Sequence, residues 1–207
     1  MDWYAWEKEA AAKGFRSVCG IDEAGRGPLA GPVFAAAVIL PPDADIPGIN
    51  DSKKLTPRRR EALFGLIIDR ARAYCVAQAS VEEIESHNIL GATFMAMRRA
   101  LAGLGLPADA ALVDGCCDPG FAVPTRCIVR GDGQSASIAA ASILAKVLRD
   151  RYMCELDRAY PQYQFARHKG YPTRAHYEAI LKYGVSPVHR ASFLKNLEEK
   201  RMAFEGK

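Results

Sequence analysis

The chain has 207 residues, with 28 lysines and arginines against 24 aspartates and glutamates, so its formal net charge is +4. Hydrophobic residues make up 49% and charged residues 25%, an ordinary globular composition that excludes a mainly disordered or fibrous protein. The longest apolar run, Val33 to Leu40, is too short to cross a bilayer, and the polar N-terminus lacks the layout of a signal peptide. We therefore expect a cytoplasmic monomer without membrane association, folded as one domain over residues 1–207.

Hydrophobic periodicity, caps and turn residues predict strands that alternate with helices. In chain order we expect a helix at 3–13, strands at 17–22 and 33–40, a helix at 57–73, a strand at 74–80, helices at 81–87 and 91–103, strands at 109–114 and 124–129, and helices at 135–160, 173–183 and 191–204. Thr56 before Pro57 is typical of a helix start, with threonine as N-cap and proline at the first position. This order indicates an α/β protein with a central mixed five-stranded sheet flanked by helices, and a helical C-terminal segment over about 161–207.

The six cysteines form no metal-binding pattern. No CxxC pair is present, and no cysteine has a histidine at zinc-finger spacing, so a structural zinc site is not expected. Cys116 and Cys117 are neighbours, but the spacing supports no catalytic pair with a histidine. We interpret all six as free thiols in a reducing compartment.

Two adjacent carboxylates, Asp22 and Glu23, follow the first strand and precede a glycine loop. Clustered carboxylates repel one another and need a compensating cation, and Mg²⁺ or Mn²⁺ suits oxygen ligands. Neighbours on a regular strand point to opposite faces, so these two would share a metal only where the strand ends or bends. The glycines that follow favour such a bend. Taken alone, such a pair before a glycine turn is more often an ordinary turn than a metal site.

Two further acids occupy corresponding positions. Asp114 ends the fourth predicted strand, and Asp132 follows the fifth. A carboxylate at the end of each of three strands is a recurrent way to build a cation site from distant segments. For Asp132 an alternative is a turn residue between glycines that caps the next helix. Asp150 lies between two arginines, which favours a salt-bridged residue.

The glycine loop Gly25-Arg26-Gly27 lets the backbone approach a ligand and adds a positive charge. It is not a Walker A loop, because no Gly-Lys-Ser/Thr follows, and it leads into an apolar run rather than the helix of a dinucleotide fingerprint.

Charge is unevenly distributed along the chain. Residues 141–207 carry 13 lysines and arginines and 7 acids, a net of +6, whereas the preceding 140 residues carry 15 and 17, a net of −2. Cations surround Tyr171, which fits phosphate contacts plus stacking on a sugar or base. A solvated basic face would give the same counts, so both interpretations stay open.

Between about Ser17 and Phe193 the chain carries seven motifs in this order: GIDEAGRGPLAGPV, INDSKKL, LVDG, VRGD, SIAAASILAKVLRDR, HKGYPT and VSPVHRASF. This succession of motifs closely resembles that of bacterial ribonuclease HII, a type 2 ribonuclease H. The resemblance implies a ribonuclease H-like fold and endonucleolytic cleavage of the RNA strand of RNA–DNA hybrids. It also implies incision on the 5′ side of single ribonucleotides embedded in duplex DNA, which leaves a 5′-phosphate and a 3′-hydroxyl.

The resemblance also implies roles for individual residues. The family's metal-binding acids match Asp22, Glu23, Asp114 and Asp132, which would hold Mn²⁺ or Mg²⁺, although Arg130 stands where lysine is common. The loop residues Gly25, Arg26 and Gly27 match those implied to read the ribose 2′-hydroxyl, and Tyr171 matches the tyrosine implied to stack on the following sugar. Our candidates for phosphate contacts are Lys54, Lys146, Lys169 and Arg190.

Three other functions use part of the same pattern. A resolvase or transposase core of the same broad fold would also cluster acids, and a metal-dependent phosphatase would use them on small phosphate esters. A non-enzymatic nucleic-acid-binding module would share the basic segment but has no reason to place carboxylates at three strand ends. Cleavage of a duplex with one ribonucleotide separates these alternatives.

Overall fold

The computed structural model describes residues 2–42 and 44–197. Its five strands are β1 (Val18–Ala24), β2 (Val33–Ile39), β3 (Ala73–Ala79), β4 (Ala110–Asp114) and β5 (Thr125–Ile128). Its six α-helices are α1 (Ala5–Ala12), α2 (Pro57–Arg70), α3 (Val81–Ala102), α4 (Ala136–Ala159), α5 (Phe165–His168) and α6 (Arg174–Tyr183). No helix in these ranges is both long and apolar enough to span a membrane.

The strands form one mixed sheet in the order β3-β2-β1-β4-β5. β1 to β3 form an antiparallel meander, while β4 and β5 run parallel to β1. The carboxyl ends of the three parallel strands therefore meet at one edge of the sheet, where their acidic residues lie. The predicted mixed five-stranded sheet is confirmed.

Helices cover both faces of the sheet because β2 is apolar throughout. Ala36 and Val38 pack into a buried cluster with α2 and α4 on one face. Ala37 and Ile39, which point the other way, pack against α3. At Gly20 of β1, a Cβ atom would lie 2.1 Å from the Ser137 carbonyl carbon, so α4 crosses the sheet in close backbone contact.

Side-chain caps start several helices where the sequence predicts them. Thr56 accepts a hydrogen bond from the Arg59 amide at the start of α2, and Ser135 accepts one from Ile138 at the start of α4. The predicted helices at 81–87 and 91–103 are both present as the two segments of α3, which is kinked at Asn88, where φ is 56°. All six cysteines are free, as expected.

The last predicted helix is wrong over residues 191–196, and within its described part only Leu197 is helical. Ala191–Phe193 form one 3₁₀ turn, and the chain does not continue as a helix through residue 196. Arg190 starts this segment with extended backbone and a side chain drawn into the interior, which leaves no side-chain cap for a helix. Residues 198–204 of that prediction lie outside the described residues.

Candidate metal centre and nucleic-acid cleft

Three of the expected acids come together at the carboxyl edge of the sheet. Asp22, Asp114 and Asp132 each contribute a carboxylate oxygen, and these atoms all lie within 4.8 Å of one another. The register explains part of this, because Ile21 pairs with Val113 and the residues that follow them on β1 and β4 are Asp22 and Asp114. Asp22 and Asp132 are almost fully buried, with 3% and 6% exposed.

Asp132 is held by a turn after β5 rather than by the helix that follows. Arg130 adopts a left-handed conformation with φ of 57°, and Gly131 to Gly133 form a 3₁₀ turn. The amide of Gly131 donates to Asp114 Oδ1 at 2.7 Å, which ties the turn to the neighbouring strand. Ser135, not Asp132, caps α4. The capping alternative for Asp132 is therefore wrong.

Burial and mutual repulsion raise the pKa of these acids. Burial is the main cause of the raised pKa of Asp22, followed by the charges of Glu23 and Asp114. Burial and then the charge of Asp114 raise the pKa of Asp132 to about 6. Each shift reflects the cost of a negative charge that lacks enough compensation. A divalent cation would lower that cost, and the all-oxygen donor set fits Mg²⁺ or Mn²⁺.

Glu23 stands apart from the group of three. β1 continues as a regular strand through Ala24, so the expected bend at Asp22 and Glu23 is wrong. Successive strand residues point to opposite faces, and the Glu23 carboxylate pairs with Arg26 Nη1 at 3.3 Å. Burial and the charge of Asp114 still raise the pKa of Glu23, although Arg26 opposes the shift. Its place as a metal ligand stays a prediction.

Sequence reasoning missed Lys53 and selected its neighbour Lys54. Lys53 Nζ lies 3.9 Å from Asp132 Oδ2. Burial lowers the pKa of Lys53, but the charges of Asp22, Asp132 and nearby acids outweigh it and raise the pKa. The 3₁₀ turn Ser52–Lys54 decides which lysine faces the acids, and two adjacent lysines in the sequence carry no signal of that choice.

A cleft of about 510 Å³ opens beside the acids and contains the glycine loop. Gly25 needs to be glycine, because its φ is +101° and a Cβ there would lie 2.0 Å from Arg149 Nε. A Cβ at Gly27 would lie 3.8 Å from Tyr171 Cε1, so the loop and the tyrosine ring are neighbours. Tyr171 is 39% exposed, and Lys146 Nζ lies 5.8 Å from its ring centre. The structure thus brings the loop and Tyr171 together, as expected.

Comparison with known proteins decides the family. Residues 19–196 match the sequence profile of ribonuclease HII. The chain belongs to the ribonuclease HII family. It is similar to ribonuclease HII of Laribacter hongkongensis, 60% identical over 180 residues that cover 86% of this chain and 91% of the relative. It is 59% identical to that of Dechloromonas aromatica over 176 residues, which cover 85% and 90% of the two chains.

Solved structures confirm the ribonuclease H-like fold. Ribonuclease H2 from Pyrococcus horikoshii OT3 superposes with a TM-score of 0.72 at 26% identity, over 93% of this chain and 100% of that one. Bst-RNase HIII, solved in complex with Mn²⁺, shares the fold with a TM-score of 0.69 at 18% identity, over 92% and 71% of the two chains. As a ribonuclease HII family member, the chain is a metal-dependent endonuclease that cleaves the RNA strand of RNA–DNA hybrids.

The four candidate phosphate contacts of this ribonuclease occupy very different environments. Lys54 is exposed, with Nζ 4.0 Å from Asp51. Lys146 is a residue of α4 that lines the cleft. Its Nζ pairs with Asp150 at 2.6 Å and lies 5.8 Å from the Tyr171 ring centre. Lys169 Nζ donates to the Ala166 carbonyl at 2.6 Å.

Arg190 contradicts the prediction, because its side chain is fully buried and cannot reach a phosphate. Within the described residues, its guanidinium donates to main-chain carbonyls alone, those of Gly25, Arg26 and Gly31.

A basic groove of about 600 Å³ adjoins the ribonuclease cleft and shares Lys146 with it. It lies between α2, α4 and α5. Asp150 neutralises part of it through Lys146 and Arg60, which confirms the salt-bridged interpretation of Asp150. Arg158 and Arg167 are exposed and have no ion pair within the described ranges, so they offer free positive charge to a polyanion. The groove's cations are Arg60, Lys146, Arg151, Arg158, Arg167 and Lys169.

Proposed function

We propose that this ribonuclease also incises on the 5′ side of single ribonucleotides embedded in duplex DNA, and that it leaves a 5′-phosphate and a 3′-hydroxyl. The observation that carries the proposal is the position of the Gly25–Gly27 loop and Tyr171 in one cleft with Glu23 and with Lys53, whose Nζ lies 3.9 Å from Asp132. A backbone loop that approaches the substrate closely can detect one 2′-hydroxyl by hydrogen bonding. Recognition of one sugar needs no run of ribonucleotides.

In this proposal Asp22, Asp114 and Asp132, together with Glu23, hold two Mn²⁺ or Mg²⁺ ions. Bound there, the ions would activate the attacking water and stabilise charge on the phosphate and the leaving 3′-oxygen. The acids would offset the charge of the ions, and Asp22 and Asp132 are buried behind the site. Lys53 borders the same acids, so it is placed to contact an incoming phosphate.

Substrate positioning follows from the rest of the cleft. The Gly25–Gly27 loop reads the 2′-hydroxyl, and Tyr171 stacks on the sugar that follows it. Lys146 and Lys54 are proposed to contact phosphates. We further propose that the chain acts as a monomer and a single domain. Light scattering in solution checks the oligomeric state, and one cooperative unfolding transition checks the single domain.

Incubation with a duplex that contains one ribonucleotide tests the proposal. Wild type should cut it on the 5′ side of the ribonucleotide only when Mn²⁺ or Mg²⁺ is added. Asp22→Asn and Asp114→Asn should lose nearly all activity while circular dichroism shows a retained fold. Asp69→Asn, an exposed change of the same type on α2, is the matched control and should stay active. Near-wild-type cleavage by either site variant, or no cut beside the ribonucleotide, overturns the proposal.

A further inference from the structure

Arg190 is a buried cation whose partners are all carbonyl oxygens. Its side chain has no exposed surface. Nη2 donates to the Gly25 carbonyl at 2.7 Å, Nη1 to the Arg26 carbonyl at 3.0 Å, and Nε to the Gly31 carbonyl at 2.9 Å. No carboxylate in the described ranges bonds to it. Burying a charge without an ion pair is costly, so the three carbonyl contacts are its compensation.

These contacts fix two peptide planes of the glycine loop. In a trans peptide the C=O and N–H groups point in opposite directions, and no peptide bond in the described ranges is cis. With the Gly25 and Arg26 carbonyls turned towards Arg190, the amides of Arg26 and Gly27 point away from it. Both residues are exposed and line the cleft.

The two amides have no internal hydrogen-bond acceptor. Among residues 2–42 and 44–197, no backbone or side-chain oxygen accepts from the amide of Arg26 or Gly27. The loop therefore presents two unsatisfied donors to the cleft, beside the ring of Tyr171. Backbone donors without a partner are groups that a ligand oxygen can satisfy.

The anchor itself is held firmly. The Arg190 amide donates to the Leu29 carbonyl at 2.8 Å, and His189 forms a β-bridge with Ala30. The backbone around Arg190 is therefore bonded to the segment that follows the glycine loop. Burial and the nearby charge of Arg149 lower the pKa of Arg190 to about 9, which leaves it charged at neutral pH. Arg149 holds a later part of the loop through the Ala30 and Pro32 carbonyls.

We infer that Arg190 is a positioning residue for recognition of the ribose 2′-hydroxyl: by holding the Gly25 and Arg26 carbonyls, it aims the Arg26 and Gly27 amides at the substrate sugar. The inference rests on the proposed function of the loop. Arg190 touches no substrate. Its fork of donors holds both peptide planes at once, whereas a lysine ammonium is a point charge on a flexible stem and cannot reproduce that fork.

The test measures discrimination rather than activity. Arg190→Lys is compared with wild type for binding to two duplexes in the absence of metal, one with a single ribonucleotide and one all DNA. The dissociation constant for the all-DNA duplex, divided by that for the duplex with one ribonucleotide, measures how well the protein recognises the 2′-hydroxyl. We call this quotient the ratio. Because the variant loses about one hydrogen bond's worth of recognition, we expect the ratio to fall about three- to tenfold. Affinity for the all-DNA duplex should stay unchanged.

Controls separate positioning from general instability. Leu63→Ala removes a buried side chain from α2, away from the loop, and should lower the unfolding temperature without changing the ratio. Arg190→Gln keeps hydrogen-bonding groups but lacks the forked donors of the guanidinium, so it should also lower the ratio. This variant replaces Arg190→Lys in the test if Arg190→Lys does not fold. If both folded variants keep the wild-type ratio, the inference is wrong. If wild type itself shows no preference, the proposed function fails instead.

Discussion

At the scale of single residues, the acidic cluster should destabilise the fold when no metal is bound. The pKa of Asp132 lies at about 6, above its ordinary value of 3.8, because of burial and the charge of Asp114. The folded state therefore binds more protons than the unfolded state between these values. Stability from this group is present at low pH and is lost as pH rises through about 6.

Asp132→Asn should therefore stabilise the metal-free protein at neutral pH. We expect a gain of about 1–2 kcal/mol at about pH 8, the order of magnitude that the raised pKa implies. The gain should shrink towards about pH 4, where the wild-type carboxyl is protonated. Thermal unfolding in a chelator across this pH range measures it, with Asp69→Asn as control. A gain independent of pH would contradict the electrostatic explanation.

Tyr171 offers a second prediction at this scale. Its ring borders Gly27, and Lys146 Nζ lies 5.8 Å from the ring centre. Stacking on an aromatic ring contributes about 1–3 kcal/mol in nucleic-acid complexes. Tyr171→Ala should therefore weaken recognition of the RNA–DNA junction more than binding to duplex in general, and Tyr171→Phe should retain it. Cleavage-site mapping on a junction substrate checks this, and an unchanged junction preference in Tyr171→Ala would count against stacking.

The sequence predicted which acids meet but not where each cation points. Asp22 follows the last pair between β1 and β4, Asp114 ends β4, and Asp132 follows β5. The carboxyl ends of neighbouring parallel strands meet by topology alone. Arg190 and Lys53 depend on side-chain direction in irregular segments, for which sequence spacing carries no period. A buried arginine and a phosphate-binding arginine look the same in sequence.

At the scale of elements, α1 stabilises the start of the long helix α4. Glu7 Oε1 accepts hydrogen bonds from the Ser137 amide at 3.0 Å and from the Ser135 hydroxyl at 2.6 Å. The Trp3 carbonyl accepts from the Ala136 amide at 2.8 Å. The first turn of α4 follows the Asp132 turn directly, so α1 supports the backbone that carries one of the acids. A negative charge at a helix N-terminus is also favourable.

Loss of this cap should lower stability without removing the chemistry. Glu7→Ala should destabilise the fold by about 1–2 kcal/mol, because it leaves helix-terminal donors unsatisfied. Glu7→Gln keeps an acceptor oxygen and should cost less. Thermal unfolding ranks the variants, and cleavage per folded molecule should stay near wild type in both. Equal stability of Glu7→Ala and wild type would show that the cap contributes nothing.

Elements with local signals were predicted well, and those set by tertiary contacts were not. Thr56 marks a helix start in the sequence and caps α2 in the structure. Ser80 and Ser135 cap α3 and α4, close to the predicted starts of those helices. By contrast, the strand β1 extends two residues beyond its expected end because pairing with β2 continues to Ala24 and Phe34. The segment from Ala191 forms a 3₁₀ turn rather than the expected helix, because the buried Arg190 fixes the extended backbone immediately before it.

At the scale of the whole molecule, the two charge regions meet along one edge. The acids lie at the carboxyl end of the parallel strands, and the basic groove begins beside them at Lys146. Metal-free acids repel a phosphate backbone, whereas the groove attracts it. The net charge of +4 is therefore the sum of an acidic surface that would bind metal ions and a basic surface that would bind the phosphate backbone. The protein is therefore expected to bind duplex more tightly when metal ions offset the negative charge of the acids.

Salt dependence of duplex binding tests the contribution of the groove. Each phosphate contact adds about 0.9 to the slope of log affinity against log salt for duplex DNA. Arg158→Gln combined with Arg167→Gln should lower that slope by about 1–2, equally for all-DNA and ribonucleotide-containing duplexes, since phosphate contacts carry no sugar information. Lys13→Gln is the control, because Lys13 borders the opposite ends of β4 and β5, near Ala110. A slope unchanged by the double variant would place the duplex outside the groove.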